Sequence, residues 1–190
     1  MNTGFSNRMK DVFTYVREEV LRLGDDSIGI EHLFLGIIRE GDGTAIRTLK
    51  GLGIDPKDLR VIVENKITRR DVRRNIDKDN IEFKKPTERI LKKSIMEQKN
   101  LGETEIKTIH VLLAILLDHH NIVSISFENI DIDYDAILDE YEKQSESDIS
   151  ANLDNIEDGS SDDNIFGPNP SEKIKSTSKK ATPVLDVFGR

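Results

Sequence analysis

The sequence predicts an all-α protein of eight helices, built as two tandem four-helix repeats with pseudo-two-fold symmetry and followed by a disordered acidic tail. Three observations predict this fold. Residues 29–39 carry apolar side chains at the i, i+3, i+4, i+7 and i+8 spacing of a helix with one buried face. The same pattern returns at residues 108–117, offset by 78 positions without a gap. No segment shows the sustained apolar–polar alternation of a half-buried strand.

The offset of 78 holds along most of the chain and indicates an internal duplication. It pairs similar residues at matched positions in both halves: His32 with His110, Phe5 with Phe83, Leu23-Gly24 with Leu101-Gly102, Ile28 with Ile106, and Leu59 with Ile137. Each repeat alone would have a thin core. The two repeats are therefore expected to pack together about a pseudo-two-fold axis.

In the first repeat, local signals mark where helices begin. Helix one should cover about residues 6–23, with the Ser6 hydroxyl capping its first turn. The 29–39 stretch is the second helix, and Thr44 is expected to cap a short third one. Asp55 followed by Pro56 is a strong start signal for the fourth.

The second repeat predicts four more helices, with Thr108 and Asp133 as caps. They should lie at about residues 86–101, 108–118, 121–129 and 133–144.

These elements divide the chain into four parts. A first repeat covers residues 4–67, a charged linker 68–82, a second repeat 83–144, and a tail 145–190. Ser, Asp, Asn, Glu and Lys dominate the tail, which cannot bury enough apolar surface to offset its ordering entropy. The tail is therefore expected to be a disordered linker.

Composition limits the classes of function. The 190-residue chain has no Cys, which excludes disulfides and thiolate metal sites and suits a reducing compartment such as the cytoplasm. Its net charge is −8, with most of the acidity in residues 142–166, so nucleic-acid binding is not expected. No run is long and apolar enough to span a membrane, and the N-terminus does not have the pattern of a signal peptide.

Four short stretches, taken in order, resemble the N-terminal repeat of Clp-family AAA+ unfoldases, closest to the ClpC type. They are Phe5-Ser6, Leu23-Gly24, 28–33 and 35–43. The resemblance covers roughly residues 4–142, and residues 182–190 resemble the segment that leads into the first ATPase ring of those proteins.

This resemblance implies a module, tethered to a hexameric ATPase, that captures unfolded or tagged proteins or adaptor proteins for delivery to the ClpP peptidase. ATP and magnesium would belong to ATPase domains outside this chain, and no cofactor is expected here. In agreement, the sequence lacks a Gly-rich phosphate loop ending in Gly-Lys-Ser/Thr. The isolated domain is expected to be a monomer. The alternative is a stand-alone Clp accessory protein without ATPase domains.

Some ClpC-type domains also bind phosphorylated arginine, and the resemblance extends this expectation to the first repeat. There Glu31 would hold the guanidinium and Ser6, at the start of helix one, would help to hold the phosphate. The matching positions in the second repeat are Ile109 and Lys84. Ile109 cannot bind a guanidinium, so the second site is expected to be lost.

The remaining polar residues have simpler interpretations. His32 and His110 lie beside apolar stripes and are expected to be buried and hydrogen-bonded, fixing the turn before each helix. A rival hypothesis makes them catalytic groups of a hydrolytic enzyme. His119-His120 lacks a third metal ligand and suits a helix end. The acid pair Glu18-Glu19 is expected to be a solvated face.

Overall fold

The computed structural model describes residues 4–67 and 81–157, with only the backbone described for 149–157, and this part of the chain is mostly helical. Its eight helices are α1 (Asn7–Leu23), α2 (Ile30–Glu40), α3 (Thr44–Gly51), α4 (Pro56–Lys66), α5 (Lys85–Asn100), α6 (Thr108–Leu116), α7 (Ile122–Glu128) and α8 (Tyr134–Glu157). Two short strands, β1 (Ser27–Ile28) and β2 (Glu82–Phe83), pair in parallel. The predicted all-α class of eight helices is confirmed, and the strand pair is an addition that sequence periodicity did not indicate.

Helix α1 forms because Ser6 caps its start and one apolar face runs along its length. The Ser6 Oγ accepts a hydrogen bond from the Met9 backbone N–H at 3.3 Å. Gly24, with a φ of 77°, ends the helix in the left-handed conformation. The buried face packs on α2, where Gly36 lets the helices approach: a Cβ there would lie 2.5 Å from Val16 Cγ2.

The two repeats exchange backbone hydrogen bonds in a reciprocal pattern. Ile28 of the first repeat pairs with Phe83 of the second, and Phe5 forms the matching bridge with Ile106. Under the offset of 78, Phe5 corresponds to Phe83 and Ile28 to Ile106, so each contact is the symmetry mate of the other. An approximate two-fold axis between the repeats generates this pattern, as the duplication predicts.

Threonines cap helices across the same boundary. The Ala45 N–H at the start of α3 donates to Thr108 Oγ1 at 3.0 Å, and the Ile109 N–H in α6 donates to Thr44 Oγ1 at 3.2 Å. The prediction that Thr44 and Thr108 cap their own helices is therefore wrong, because each caps the helix of the other repeat. Gly43 is needed for this approach, since a Cβ there would lie 2.5 Å from Thr108 Oγ1.

Helix packing interlocks the repeats further. Helix α4 of the first repeat packs on α7 of the second, and α3 packs on both α6 and α8. The rings of Phe34 and Phe127 meet edge to face across the boundary, with centroids 5.6 Å apart. Both rings are fully buried. The core is therefore one continuous cluster shared by both repeats rather than two thin cores in contact.

A buried carboxylate joins α1 to α2 and α4. The side chain of Glu19 is fully buried, and it accepts hydrogen bonds from Arg22 Nε at 2.7 Å and Arg60 Nη2 at 3.0 Å. Arg39 Nη1 adds a third at 3.3 Å. Burial would raise the pKa of Glu19, but the hydrogen bonds from Arg22 and Arg60 outweigh it and leave that pKa below its ordinary value. The expectation of a solvated Glu18-Glu19 pair is wrong for Glu19.

Helix α8 extends beyond residue 144, the predicted end of the second repeat. It is 24 residues long and remains helical to Glu157, so the expected disorder from residue 145 is wrong at its start. As predicted, Asp133 caps this helix, its Oδ1 accepting from the Ala136 N–H at 2.9 Å. The polar composition concealed apolar residues at helical spacing, namely Ile149, Leu153 and Ile156. The predicted linker residues 68–80 and the tail from 158 lie outside the described residues.

The single variants Thr44→Val and Thr108→Val should each lower the free energy of unfolding by about 1–2 kcal/mol, because a helix N–H of the other repeat loses its acceptor. The two hydroxyls are 3.1 Å apart, so the double variant should cost less than the sum of the single variants. Urea unfolding followed by circular dichroism measures both effects. Thr14→Val, at an exposed position of α1, is the control. Strict additivity would contradict a shared capping unit.

Candidate functional site

A polar cleft lies where the first turn of α2 meets the start of α5. The β1–β2 pairing brings these two helix ends together, since the Lys84 N–H donates to the Ile28 carbonyl at 2.9 Å. The cleft has a volume of about 380 Å³. Its polar lining is Glu31, Lys84, Thr87, Arg89, Asp118, His120 and Asn121. Both repeats therefore contribute to one site.

Glu31 and Lys84 form the charged pair of the cleft. Lys84 Nζ lies 3.3 Å from Glu31 Oε1 and 3.9 Å from Asp25 Oδ2. The Lys84 side chain is 34% exposed and that of Glu31 is 19% exposed, so a ligand can reach both. The Glu31 carboxylate lies over Gly29, where any Cβ would overlap it. Gly29 is therefore needed for this position of the carboxylate.

Ser6 does not line this cleft. Its backbone N–H donates to the Ile106 carbonyl at 3.0 Å, at the reciprocal junction between the repeats. The expectation that Ser6 and Glu31 belong to one site is wrong in its geometry, because the strand exchange places the start of each repeat's first helix beside the other repeat. Lys84, which sequence register assigned to the second repeat's site, is the partner of Glu31.

The reciprocal junction is chemically different. Ile109, which replaces Glu31 there, is fully buried. Arg8 Nη1 lies 2.5 Å from Glu40 Oε1, and Arg8 Nη2 lies 2.6 Å from Asp42 Oδ2. These two ion pairs connect the start of α1 to the last residue of α2 and to the loop that follows it. The duplication has thus kept a charged pair between the repeats at one junction, whereas at the other Arg8 pairs with two carboxylates of its own repeat.

His32 and His110 are structural, as predicted. Both imidazoles are fully buried, and each Nδ1 accepts a hydrogen bond from the backbone N–H that precedes its helix. Gly29 N–H donates to His32 at 2.9 Å, and Lys107 N–H to His110 at 2.8 Å. Burial lowers the pKa of both residues, that of His110 to about 4. Buried imidazoles that hold helix starts do not fit the rival hypothesis of a hydrolytic enzyme.

Asp25, Glu31 and His32 lie close enough together to raise the question of a metal. Their geometry does not fit one. Because His32 Nδ1 accepts the Gly29 N–H, the neutral ring carries its proton on Nε2, which lies 3.3 Å from Asp25 Oδ2. Coordination through Nε2 would need the proton on Nδ1, facing another N–H donor. Lys84 already supplies a positive charge beside the two carboxylates.

Sequence reasoning missed most of the cleft. Arg89 lies on the α5 surface, while Asp118, His120 and Asn121 lie between α6 and α7, far from Glu31 in sequence. For Lys84 and Arg89, the signal that could have placed them in the cleft was the duplication itself. A two-fold axis between repeats predicts that residues near the start of α2 meet residues near the start of α5. The missing step was to pair positions across the repeats rather than within each one.

A duplicated all-α domain with a charged cleft between its repeats is the class that the fold and the site define. Residues 4–130 match the family model described as "Clp repeat (R) N-terminal domain", and the chain belongs to this family. Among the described residues, no helix combines enough length and apolar character to cross a bilayer.

Proteins of similar sequence carry names that are consistent with this family. "Negative regulator of genetic competence ClpC/MecB" of Bacillus subtilis is 29% identical over 128 residues, covering 67% of this chain and 15% of that protein. "ATP-dependent Clp protease ATP-binding subunit ClpA homolog" of Porphyra purpurea is 28% identical over 185 residues, covering 97% of this chain and 20% of that protein. The chain thus spans a fifth or less of these relatives.

A solved structure supports the fold. The N-terminal domain of the caseinolytic protease associated chaperone ClpD from Arabidopsis thaliana superposes with a TM-score of 0.56 at 15% identity. The alignment covers 75% of this chain and 94% of that one. At this identity the likeness concerns the arrangement of helices, which is the predicted one.

Replacing His110 with Asn should flatten the pH dependence of stability. The pKa of His110 is about 4 when folded and 6.5 ordinarily, so between these values the unfolded chain binds a proton that the folded chain does not. The free energy of unfolding therefore falls as the pH is lowered through this window, by up to about 3 kcal/mol from this residue.

Urea unfolding near neutral pH and at about pH 4.5 measures the difference. The amide of the introduced asparagine would keep an acceptor near the position of Nδ1 without the titrating proton. His119→Asn, at a side chain that is 72% exposed, is the matched control and should keep the wild-type slope. Equal slopes for wild type and His110→Asn would contradict the assignment.

Proposed function

We propose that this chain is the substrate- and adaptor-binding N-terminal domain of a ClpC-type ATP-dependent unfoldase that feeds the ClpP peptidase in protein quality control. Three findings support the proposal: the family match over residues 4–130, the relatives named as ClpC and as ATP-binding subunits, and the duplicated fold. Bond-breaking chemistry and the ATP and magnesium that drive it belong to the parent protein's other domains. We place that protein in the cytoplasm.

Within this role, the Glu31–Lys84 cleft is proposed to bind phosphorylated arginine on tagged proteins. Glu31 would take the guanidinium through paired charge-assisted hydrogen bonds. Lys84 and the N-terminus of the 16-residue helix α5 would take the phosphate. The opposite charges 3.3 Å apart are the observation that carries this proposal, since the ligand also joins a cation to an anion. The reciprocal junction, with Ile109, would not bind it.

Isothermal titration with free phosphoarginine should give one site per chain. Glu31→Gln should weaken binding roughly tenfold or more, because a charge-assisted hydrogen-bonded pair is lost. Lys84→Met should weaken it similarly. Ser6→Ala is the matched control, expected to keep wild-type affinity although it removes a helix cap. Equal weakening by Ser6→Ala and Glu31→Gln would contradict the placement of the ligand in the Glu31–Lys84 cleft.

The broader role is tested with a permanently unfolded protein. Reduced, carboxyamidomethylated lactalbumin should bind the 190-residue chain in sedimentation or surface plasmon resonance, whereas native lactalbumin should not. The reason is that capture for unfolding requires exposed chain segments. Duplex DNA and anionic vesicles serve as negative controls. Failure to bind any unfolded protein, with or without the cognate adaptor, would overturn the proposed role.

A further inference from the structure

Helix α5 carries an unusual surface for a chain with a net charge of −8. Five exposed cations lie along it, and none forms an ion pair with any residue whose side chain the structure describes. We name these residues the α5 basic face: Lys85, Arg89, Lys92, Lys93 and Lys99. At 100° per residue they fall within about a third of the helix circumference, along roughly 21 Å of its length. They therefore form one stripe facing solvent.

The duplicated helix shows that the fold does not require this stripe. Under the offset of 78, the positions of the α5 basic face correspond in α1 to Asn7, Asp11, Thr14, Tyr15 and Leu21, none of which is a cation. On α5 itself the carboxylates are Glu88, which is exposed, and Glu97, which is buried and accepts a hydrogen bond from Tyr134 Oη at 2.7 Å. The surface of α5 is thus left strongly positive.

An apolar strip accompanies the cations. Met96 lies between Lys92 and Lys99 on the same face and is 63% exposed, a high value for a large apolar side chain. Beside it, Phe5, Leu91 and Ile95 line a groove of about 400 Å³ together with Lys92 and Glu88. Cations and accessible apolar side chains therefore share one continuous surface.

We infer that the α5 basic face, with Met96 and the adjacent groove, docks an acidic polypeptide segment that carries an apolar side chain. Carboxylates of the segment pair with the lysines, and its apolar side chain enters the groove formed by Phe5, Leu91 and Ile95. This inference rests on the proposed protein-binding role and names the chemistry of one class of partner. This surface adjoins the Glu31–Lys84 cleft at Arg89, which lines both, whereas Lys92, Lys99, Met96 and the groove lie outside the cleft.

A polypeptide fits this surface better than a nucleic acid does. The overall charge of −8 repels a long polyanion, whereas a short acidic segment senses mainly charges within about 8 Å at physiological salt. The exposed Met96 and the groove add apolar contacts that a phosphate backbone cannot use. A single row of cations on one helix also matches the length of a short peptide.

Fluorescence anisotropy with the full 190-residue chain tests the inference. The probe is a fluorescein-labelled peptide of about a dozen residues, made of Asp and Glu with one central Phe, and a second peptide has Ser in place of Phe. Lys92→Glu/Lys99→Glu is compared with Lys50→Glu/Lys57→Glu, which changes the net charge equally at exposed positions of α3 and α4. Neither pair touches the Glu31–Lys84 cleft.

The Phe peptide should bind, more weakly as salt is raised, and better than the Ser peptide. Lys92→Glu/Lys99→Glu should weaken binding roughly tenfold, and Lys50→Glu/Lys57→Glu by less than about twofold. Met96→Ser, which removes an exposed side chain and should leave the fold intact, should reduce the preference for Phe. Retained helicity and unfolding midpoints of each variant confirm folding.

Three results would overturn the inference: no binding of the Phe peptide, equal weakening by both double variants, or displacement of the peptide by a duplex DNA at lower concentration than by unlabelled peptide. Unfolded lactalbumin separates this inference from the proposed function. If the wild-type chain binds lactalbumin but not the Phe peptide, the docking surface alone is wrong. If the chain binds neither lactalbumin nor the Phe peptide, the docking surface and the proposed function are both wrong.

Discussion

The exchange of hydrogen bonds between the two repeats is the constraint on which the structure depends. The Ser6 N–H donates to the carbonyl of Ile106, and the Lys84 N–H donates to the carbonyl of Ile28. Threonine caps and the packing of α3 and α4 on the opposite repeat follow the same rule. These groups are buried or half-buried, and an unpaired buried N–H costs about 1–3 kcal/mol. Each repeat is therefore incomplete without the other.

The same exchange builds the site. It brings the first turn of α2 against the start of α5, so the carboxylate of Glu31 comes from one repeat and the ammonium of Lys84 from the other. At the reciprocal junction, Ile109 and Ser6 occupy the matching positions, and Arg8 is held by Glu40 and Asp42. Backbone symmetry has been kept while side chains diverged, which gives one domain two chemically different junctions.

Local signals in the sequence were enough to predict the helices, because capping and apolar periodicity act within a few residues. Ser6 and Asp133 cap the helices predicted for them. Interactions between distant segments were harder. Thr44 and Thr108 have the chemistry of caps, yet only the tertiary fold decides which helix each one caps. Glu19 looked solvated because two of its three arginines lie on other helices, and Glu31 was paired within its own repeat rather than across the axis.

The reciprocal backbone pairing between the two repeats also affects how the domain resists a mechanical force. The short strand of one half is hydrogen-bonded to that of the other, and Phe34 packs edge to face against Phe127 in the shared core. A force applied to either half must therefore break contacts in both halves at the same time. Such an arrangement makes the two halves yield to a pulling force together, as one mechanical unit.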